Sequence, residues 1–184
     1  MTLRTLVFSA VAALALALAA IAGAKTVHDG NDTTGPIDIK QAGSSKVKHG
    51  KITFVATFFE DVPPDGNTGN EYIEIWKKKP HKLRGCGGCF REGPYKMQGP
   101  QTGKRDVFKG GEAGTPYKKT GSGRIKRKGN RLTFIVPLKA IGKPKHKIFW
   151  RVQSSYYGPQ SECPTFDACS DSAPNGSKLV KQKL

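Results

Sequence analysis

Side chains able to do chemistry fall in four places along the chain: four cysteines, two acidic and amide-rich stretches, four scattered histidines and three clusters of Lys and Arg. An even cysteine count in an exported protein favours two disulfides, and Cys86, Cys89, Cys163 and Cys169 allow three connectivities. Local pairing is expected, Cys86 with Cys89 and Cys163 with Cys169, because each pair is close in sequence. Gly87 and Gly88 give the smaller loop its backbone freedom. Cys86-Gly-Gly-Cys89 also has the spacing of a thiol-disulfide redox pair, but no helical pattern follows it to lower a thiol pKa. A zinc site built from the four cysteines, or from Cys86, Cys89 and His81, would want a second C-x-x-C, and Cys163-x5-Cys169 is not one.

The first acidic stretch runs from Asp29 to Asp38 and the second from Asp167 to Asn175. If the chain ends lie close together, Asp29, Asn31, Asp32, Asp38, Asp171 and Asn175 could offer oxygen ligands to a structural Ca²⁺, a hard cation that takes ~6 to 8 oxygens. The preferred reading is Asx turns and caps, because no regular calcium loop is present. Catalytic constellations are weak. His28, His49, His81 and His146 occur singly, and Gly121-Ser122-Gly123 reads as a flexible turn rather than a nucleophile elbow. Glu71 and Glu74 lie three apart on a strand and so point to opposite faces. The chain is read as non-enzymatic.

The basic clusters are Lys77, Lys78, Lys79, Lys82 and Arg84; then Arg124, Lys126, Arg127, Lys128 and Arg131; then Lys143, Lys145 and Lys147 beside His146. Charge is unevenly spread. Lys25 to Trp76 carries five Lys against eight acids, while Lys77 to Arg151 carries 22 basic residues against three acids. The tail from Val152 is neutral, with three of each sign. A middle this basic exceeds what solubility requires and suits an anionic partner. Tyr117, Tyr156, Tyr157 and Trp76 are available for stacking.

Residues 1–24 have a basic start at Arg4, an apolar run from Leu6 to Ile21 and the small-residue end Ala22-Gly23-Ala24. That is the layout of a cleaved secretory signal peptide, with a run too short for a spanning helix of roughly 18 to 20 residues. One domain over 25–184 is expected, outside the cell or in the cell envelope, with no later membrane span.

Periodicity sets the elements that must position these residues. Lys25 to Ser45 is polar, with a short first strand at Ile37-Asp38-Ile39. Lys51 to Phe59 is β-branched and aromatic on both faces and reads as a central strand covered on both sides, with Ile52, Phe54, Ala56 and Phe58 sharing one of them. Glu71 to Trp76 alternates as a half-buried strand, Ile73 and Ile75 inward. Lys77 to Gly121 is rich in Gly, Pro and Lys, with short strands only near Tyr95 to Met97 and Arg105 to Phe108. Gly129-Asn130 predicts a tight hairpin whose first arm projects Arg124, Lys126 and Lys128 from one face. Its second arm should end at Pro137, which has no amide donor. A brief helical turn or corner over Leu138 to Gly142 precedes the last strong strand, Lys147 to Gln153, with Ile148, Trp150 and Val152 inward. Strands without a sustained helical period predict an all-β, antiparallel, jelly-roll-like sandwich with a long irregular basic middle segment.

The order D-x-x-x-G-P-I-D-I at Asp32 to Ile39 and I-T-F-V-A-T-F at Ile52 to Phe58 is followed by L-T-F-I-V-P-L-x-x-I-G and I-F-W-R-V within Leu132 to Val152. Together these resemble small secreted β-sandwich domains of actinobacteria. More distantly they are similar to family-nine carbohydrate-binding and DOMON-like sandwiches, in which a P-L-x-x-I-G corner precedes the final core strand. The resemblance implies a sandwich used for ligand or surface binding, carbohydrate among the ligands. The resulting expectation is a secreted binding module engaging an anionic polysaccharide or other envelope polymer through its basic residues, with no specific nucleic acid partner. The alternatives are a structural or enzyme-accessory envelope domain and, less favoured, a redox protein using the C-x-x-C.

Overall fold

The computed structural model describes residues 25–33, 37–62, 69–83, 89–99, 102–110, 117–156 and 170–184. Residues 1–24, expected to be a signal peptide, therefore lie outside the described residues, as do Arg84, Cys86, Cys163, Cys169, Asp167 and Tyr157. Among the described residues eleven strands are present: β1 Lys25–His28, β2 Ile39–Ser44, β3 Lys51–Phe58, β4 Gly69–Trp76, β5 Tyr95–Gln98, β6 Gly103–Lys109, β7 Lys118–Lys128, β8 Arg131–Pro137, β9 Lys147–Tyr156, β10 Ser170–Ala173 and β11 Val180–Lys183. All pairings are antiparallel, in one sheet ordered β1-β2-β3-β8-β7-β6-β5-β4-β9-β10, with β11 also on β9. The expected all-β antiparallel architecture is thus present, its two layers being opposite walls of a single sheet curled almost into a barrel.

The alternation seen in sequence becomes the inside of that barrel. Ile52, Phe54, Ala56 and Phe58 of β3 are fully buried, and Leu132, Phe134 and Val136 of β8 join them. From the far wall come Ile73, Ile75, Ile148, Trp150 and Val152, with Phe54 meeting Trp150 edge-on at 5.3 Å. Each such side chain contributes roughly 1.5 to 3 kcal/mol by leaving water. The second face of β3 is only half-buried, so one wall alone is packed on that strand.

Pro137 ends β8, and Leu138–Ile141 forms a single 3₁₀ turn that buries Ala140 and Ile141. Gly142 closes it in the left-handed region at φ 72°, where a side chain would be strained. Gly129 turns the β7–β8 hairpin at φ 53°, while Asn130 donates its side-chain amide to the Phe58 carbonyl at 2.8 Å.

Several local readings change. Gly121-Ser122-Gly123 is not a turn but the middle of β7, because an added Cβ at Gly121 would lie 2.8 Å from Ala140 Cβ, and one at Gly123 2.5 Å from the Ile135 carbonyl oxygen. These glycines admit neighbours to close approach. The polar N-terminal segment holds two strands, β1 and β2, rather than one short strand at Ile37. β1 is an exposed edge strand, so it needs no apolar alternation. In the middle segment the two expected short strands are present as β5 and β6, and the start of β7 is the one addition.

The two ends of the sheet meet without a strand ladder. The Ile39 N–H donates to Asp171 Oδ2 at 2.6 Å, the Ser154 hydroxyl to the Ile37 carbonyl at 2.6 Å, and the Ser44 hydroxyl to Gln182 Oε1 at 2.8 Å. Among the described residues, side-chain hydrogen bonds therefore join the β2 end of the sheet to the β9–β11 end.

Candidate functional site

Strand pleat and register place the second basic cluster. Ile125 is buried inside the barrel, so Arg124, Lys126 and Lys128 point outward, and all three are exposed. Along an extended strand such alternate side chains repeat every ~7 Å, with neighbouring strands ~4.8 Å away. Lys104 on β6 stands directly opposite Arg124, and Arg131 on β8 directly opposite Lys128. Like charges at facing positions oppose pairing, and no ion pair among the described residues relieves any of these five cations. The acidic residue on the same face of β6, Asp106, is taken by Lys119 at 2.8 Å.

Arg127 does not belong to this row. It shares the inward face with Ile125 and donates through Nη1 to the Val62 carbonyl at 3.3 Å. The parity that projects its neighbours outward turns it to the barrel mouth.

The other two clusters lie elsewhere on the barrel. Lys77, Lys78, Lys79 and Lys82 are exposed on the chain leaving β4. Lys77 comes beside the 3₁₀ corner, since a Cβ on Gly142 would meet its Nζ at 2.9 Å, next to exposed Lys143. Lys145 and Lys147 are also exposed, and Lys147 faces Lys183 across β9 and β11. Lys79 and Lys82 share a groove of about 520 Å³ with Phe90, Phe149, Lys178 and Lys181. A second groove, about 540 Å³, adds Lys25, Lys46 and Lys183. These C-terminal lysines were missed in the sequence because the tail is neutral by count. Folding buries Asp171 and leaves Lys178, Lys181 and Lys183 outside.

Trp76 is not available for stacking on a ligand. It is buried beneath Phe90, edge-on at 5.0 Å, and donates its indole N–H to the Glu92 carbonyl at 2.8 Å. The strand read as half-buried is covered on its outer face as well. Arg151 lies beneath the same cover with its Nε 2.7 Å from Glu74 Oε2, both side chains almost wholly buried. Tyr117 remains exposed.

His81 sits against Glu92, Nδ1 to Oε1 at 2.6 Å, and its backbone N–H adds a second bond to that carboxylate. Together they hold the Glu92 carboxyl down to about 2. Cys89 is disulfide-bonded. Its partner, and with it the expected connectivity, lies among the residues not described.

Two of the acidic groups, Asp38 and Asp171, contrast with the basic surface by being buried. Asp32, Asp38 and Asp171 each offer a carboxylate oxygen within 4.8 Å of the others. Asn175 Nδ2 donates to Asp32 Oδ2 at 3.1 Å, and Asp29 adjoins them, its Oδ1 accepting the Gly30 N–H. Five of the six oxygen-bearing residues singled out in the sequence are thus together, although Asp38 and Asp171 are far apart in the chain. Asn31 is exposed on the turn between Asp29 and Asp32 and contributes no contact among the described residues.

Burial, then the facing charges of Asp29 and Asp32, pushes the Asp171 carboxyl up to about 7 despite hydrogen bonds from Ile39 and Ser172. Burial also raises Asp38 and Asp29. At the same mouth Glu71 pairs in register with Ser154, which pairs in turn with Asp171. Desolvation raises Glu71 to about 7, with Arg127 only partly opposing it.

Compared with known proteins, the chain matches no family model, no curated protein and no solved structure.

Proposed function

We propose that this chain is a non-catalytic binding module that engages an anionic extracellular or cell-envelope polymer through the outer face of β6, β7 and β8. The observation that carries this reading is the pair of facing like charges, Lys104 with Arg124 and Lys128 with Arg131, with Lys126 between them. The arrangement costs folding stability and has no internal compensation among the described residues. A linear polyanion laid along β7 would meet a cation every ~7 Å and relieve that repulsion. The leader-like residues 1–24 support a partner outside the cell rather than genomic nucleic acid.

The test is retention on immobilised polyphosphate and on heparin. Wild-type protein should elute at higher salt than a basic protein matched in net charge. Reversing Lys126 and Lys128 to Glu should remove that excess, whereas reversing Lys78 and Lys145 should remove much less. Equal losses from the two pairs would reduce the interaction to net charge and defeat the assignment of this face.

A further inference from the structure

We propose that Asp32, Asp38 and Asp171, with Asp29 and Asn175 beside them, bind a calcium ion that locks the seam between β2 and β10. The three carboxylates come from two distant parts of the chain: Asp32 and Asp38 lie in the β1–β2 connection, and Asp171 lies on β10. One carboxylate oxygen from each of the three residues lies within 4.8 Å of the others, close enough to share a single calcium ion bound at ~2.3 to 2.6 Å. Magnesium demands strict octahedral geometry and keeps several of its waters, so it is less suited to a cage of protein oxygens.

An independent observation points into the same space. Asp38 is 2% exposed, and neither of its carboxylate oxygens accepts a well-formed hydrogen bond, the nearby backbone N–H groups of Asp32 and Thr33 offsetting its burial only in part. Asp29 Oδ2 is likewise buried without one. Leaving a buried carboxylate unpaired is costly, and such groups are ordinarily matched by a cation, a metal or a proton. The chain has 31 Lys and Arg residues, yet among the described residues none forms an ion pair with this cluster. Each oxygen of Asp171 accepts one backbone N–H, from Ser172 and from Ile39, which leaves each a lone pair for an ion. Asn175 presents an amide to Asp32, and turning it end for end would offer its oxygen instead. The donors are all oxygen, the set a hard cation takes.

The ion would sit where the sheet closes without a ladder. It would join the N-terminal hairpin to the C-terminal one at the point where Asp171 already holds Ile39, so binding and folding are coupled.

The full chain should be melted in millimolar calcium, in millimolar magnesium and in chelator, at constant ionic strength and without polymer, alongside terbium luminescence and titration calorimetry with calcium alone. Calcium at about a hundredfold over its Kd should raise Tm by roughly 5 to 10 °C, with a smaller rise in magnesium. Asp38→Asn should abolish the calcium response and melt higher than wild type in chelator, because it removes an unpaired buried charge. Asp32→Asn, at an exposed position, should weaken calcium binding at least tenfold. Identical wild-type melting in calcium and chelator with no heat of binding would overturn the proposal, as would an undiminished calcium response in both variants. A magnesium shift equal to that of calcium would overturn the choice of ion.

Discussion

Gly123→Ala offers a measure of how tightly β7 is laid on its neighbours beneath the basic row. The added Cβ would stand 2.5 Å from the Ile135 carbonyl oxygen and 2.6 Å from Met97 Sδ. The thioether can swing aside, since methionine is flexible at its end. The carbonyl cannot, because it is main chain of β8 in the stretch where Arg124 pairs with Ile135 and Ile125 with Phe134. β7 and β8 must therefore part locally. Overpacking of this kind costs about 1 to 3 kcal/mol, and a weakened ladder bond about 1 kcal/mol more. Alanine regains about 0.4 to 1 kcal/mol by restricting the unfolded chain. The expected net loss is about 1 to 3.5 kcal/mol, or roughly 2 to 14 °C in Tm for a domain of this size. Urea unfolding followed by tryptophan fluorescence reads it directly, since Trp150 and Trp76 are both buried. Gly43→Ala is the control, because its Cβ would meet the Lys25 carbonyl and Thr26 Oγ1 at an ordinary 3.6 Å. It should be neutral or slightly stabilising. A Gly123→Ala midpoint at or above that of wild type would refute the close-approach reasoning.

Glu71 makes a pH prediction. Its folded pKa of about 7 lies above the ordinary 4.5, so between those values the folded state holds a proton that the unfolded state has lost. Stability from this group is therefore present at low pH and falls as pH rises toward 7, by on the order of 2 to 4 kcal/mol. Glu71→Gln should match wild type near pH 4 and exceed it at pH 8 in urea midpoint; equal midpoints at pH 8 would contradict this. Glu74→Ala removes the carboxylate that faces the Arg151 guanidinium under Trp76 and Phe90, leaving the Gly176 carbonyl among its acceptors, and should cost about 3 kcal/mol by the same unfolding assay. A cost below about 1 kcal/mol would mean that solvent reaches the arginine. Changing Arg124, Lys126 and Lys128 together to Gln should lower the slope of log K against log salt for polyphosphate by about 2. Binding titrations across a range of KCl would show it, and an unchanged slope would place the contacts elsewhere.

The sequence located most strands because period-two alternation survives wherever one face is packed, as in Ile52 to Phe58 and Leu132 to Val136. It located corners where a residue type has one backbone use, as at Gly129, Pro137 and Gly142. It failed where those signals are absent or mimic others. Gly121 and Gly123 looked like a turn because glycine serves both turns and close strand approach, and only the positions of Ala140 and Ile135 separate the two uses. β1 passed unseen because an edge strand has no buried face to pattern. Arg127 was grouped with its neighbours in sequence, although strand parity alone would have turned it inward once Ile125 was known to be buried.

The sequence by itself determined the element types, the projection of Arg124, Lys126 and Lys128 from one strand face, and the separation of an acidic first third from a basic middle. Those properties are local, set by spacing and composition. The tertiary structure alone decided that Asp38 and Asp171 meet, that Lys104 and Arg131 extend the basic row, that Glu71 lies inside the barrel, and that the C-terminal lysines face solvent while Asp171 does not. The reason is physical. Side-chain period encodes which face a residue takes but not which strand stands beside it. Pairing between distant strands is settled by the packing of the whole core, and only a closed sheet brings its first and last strands together.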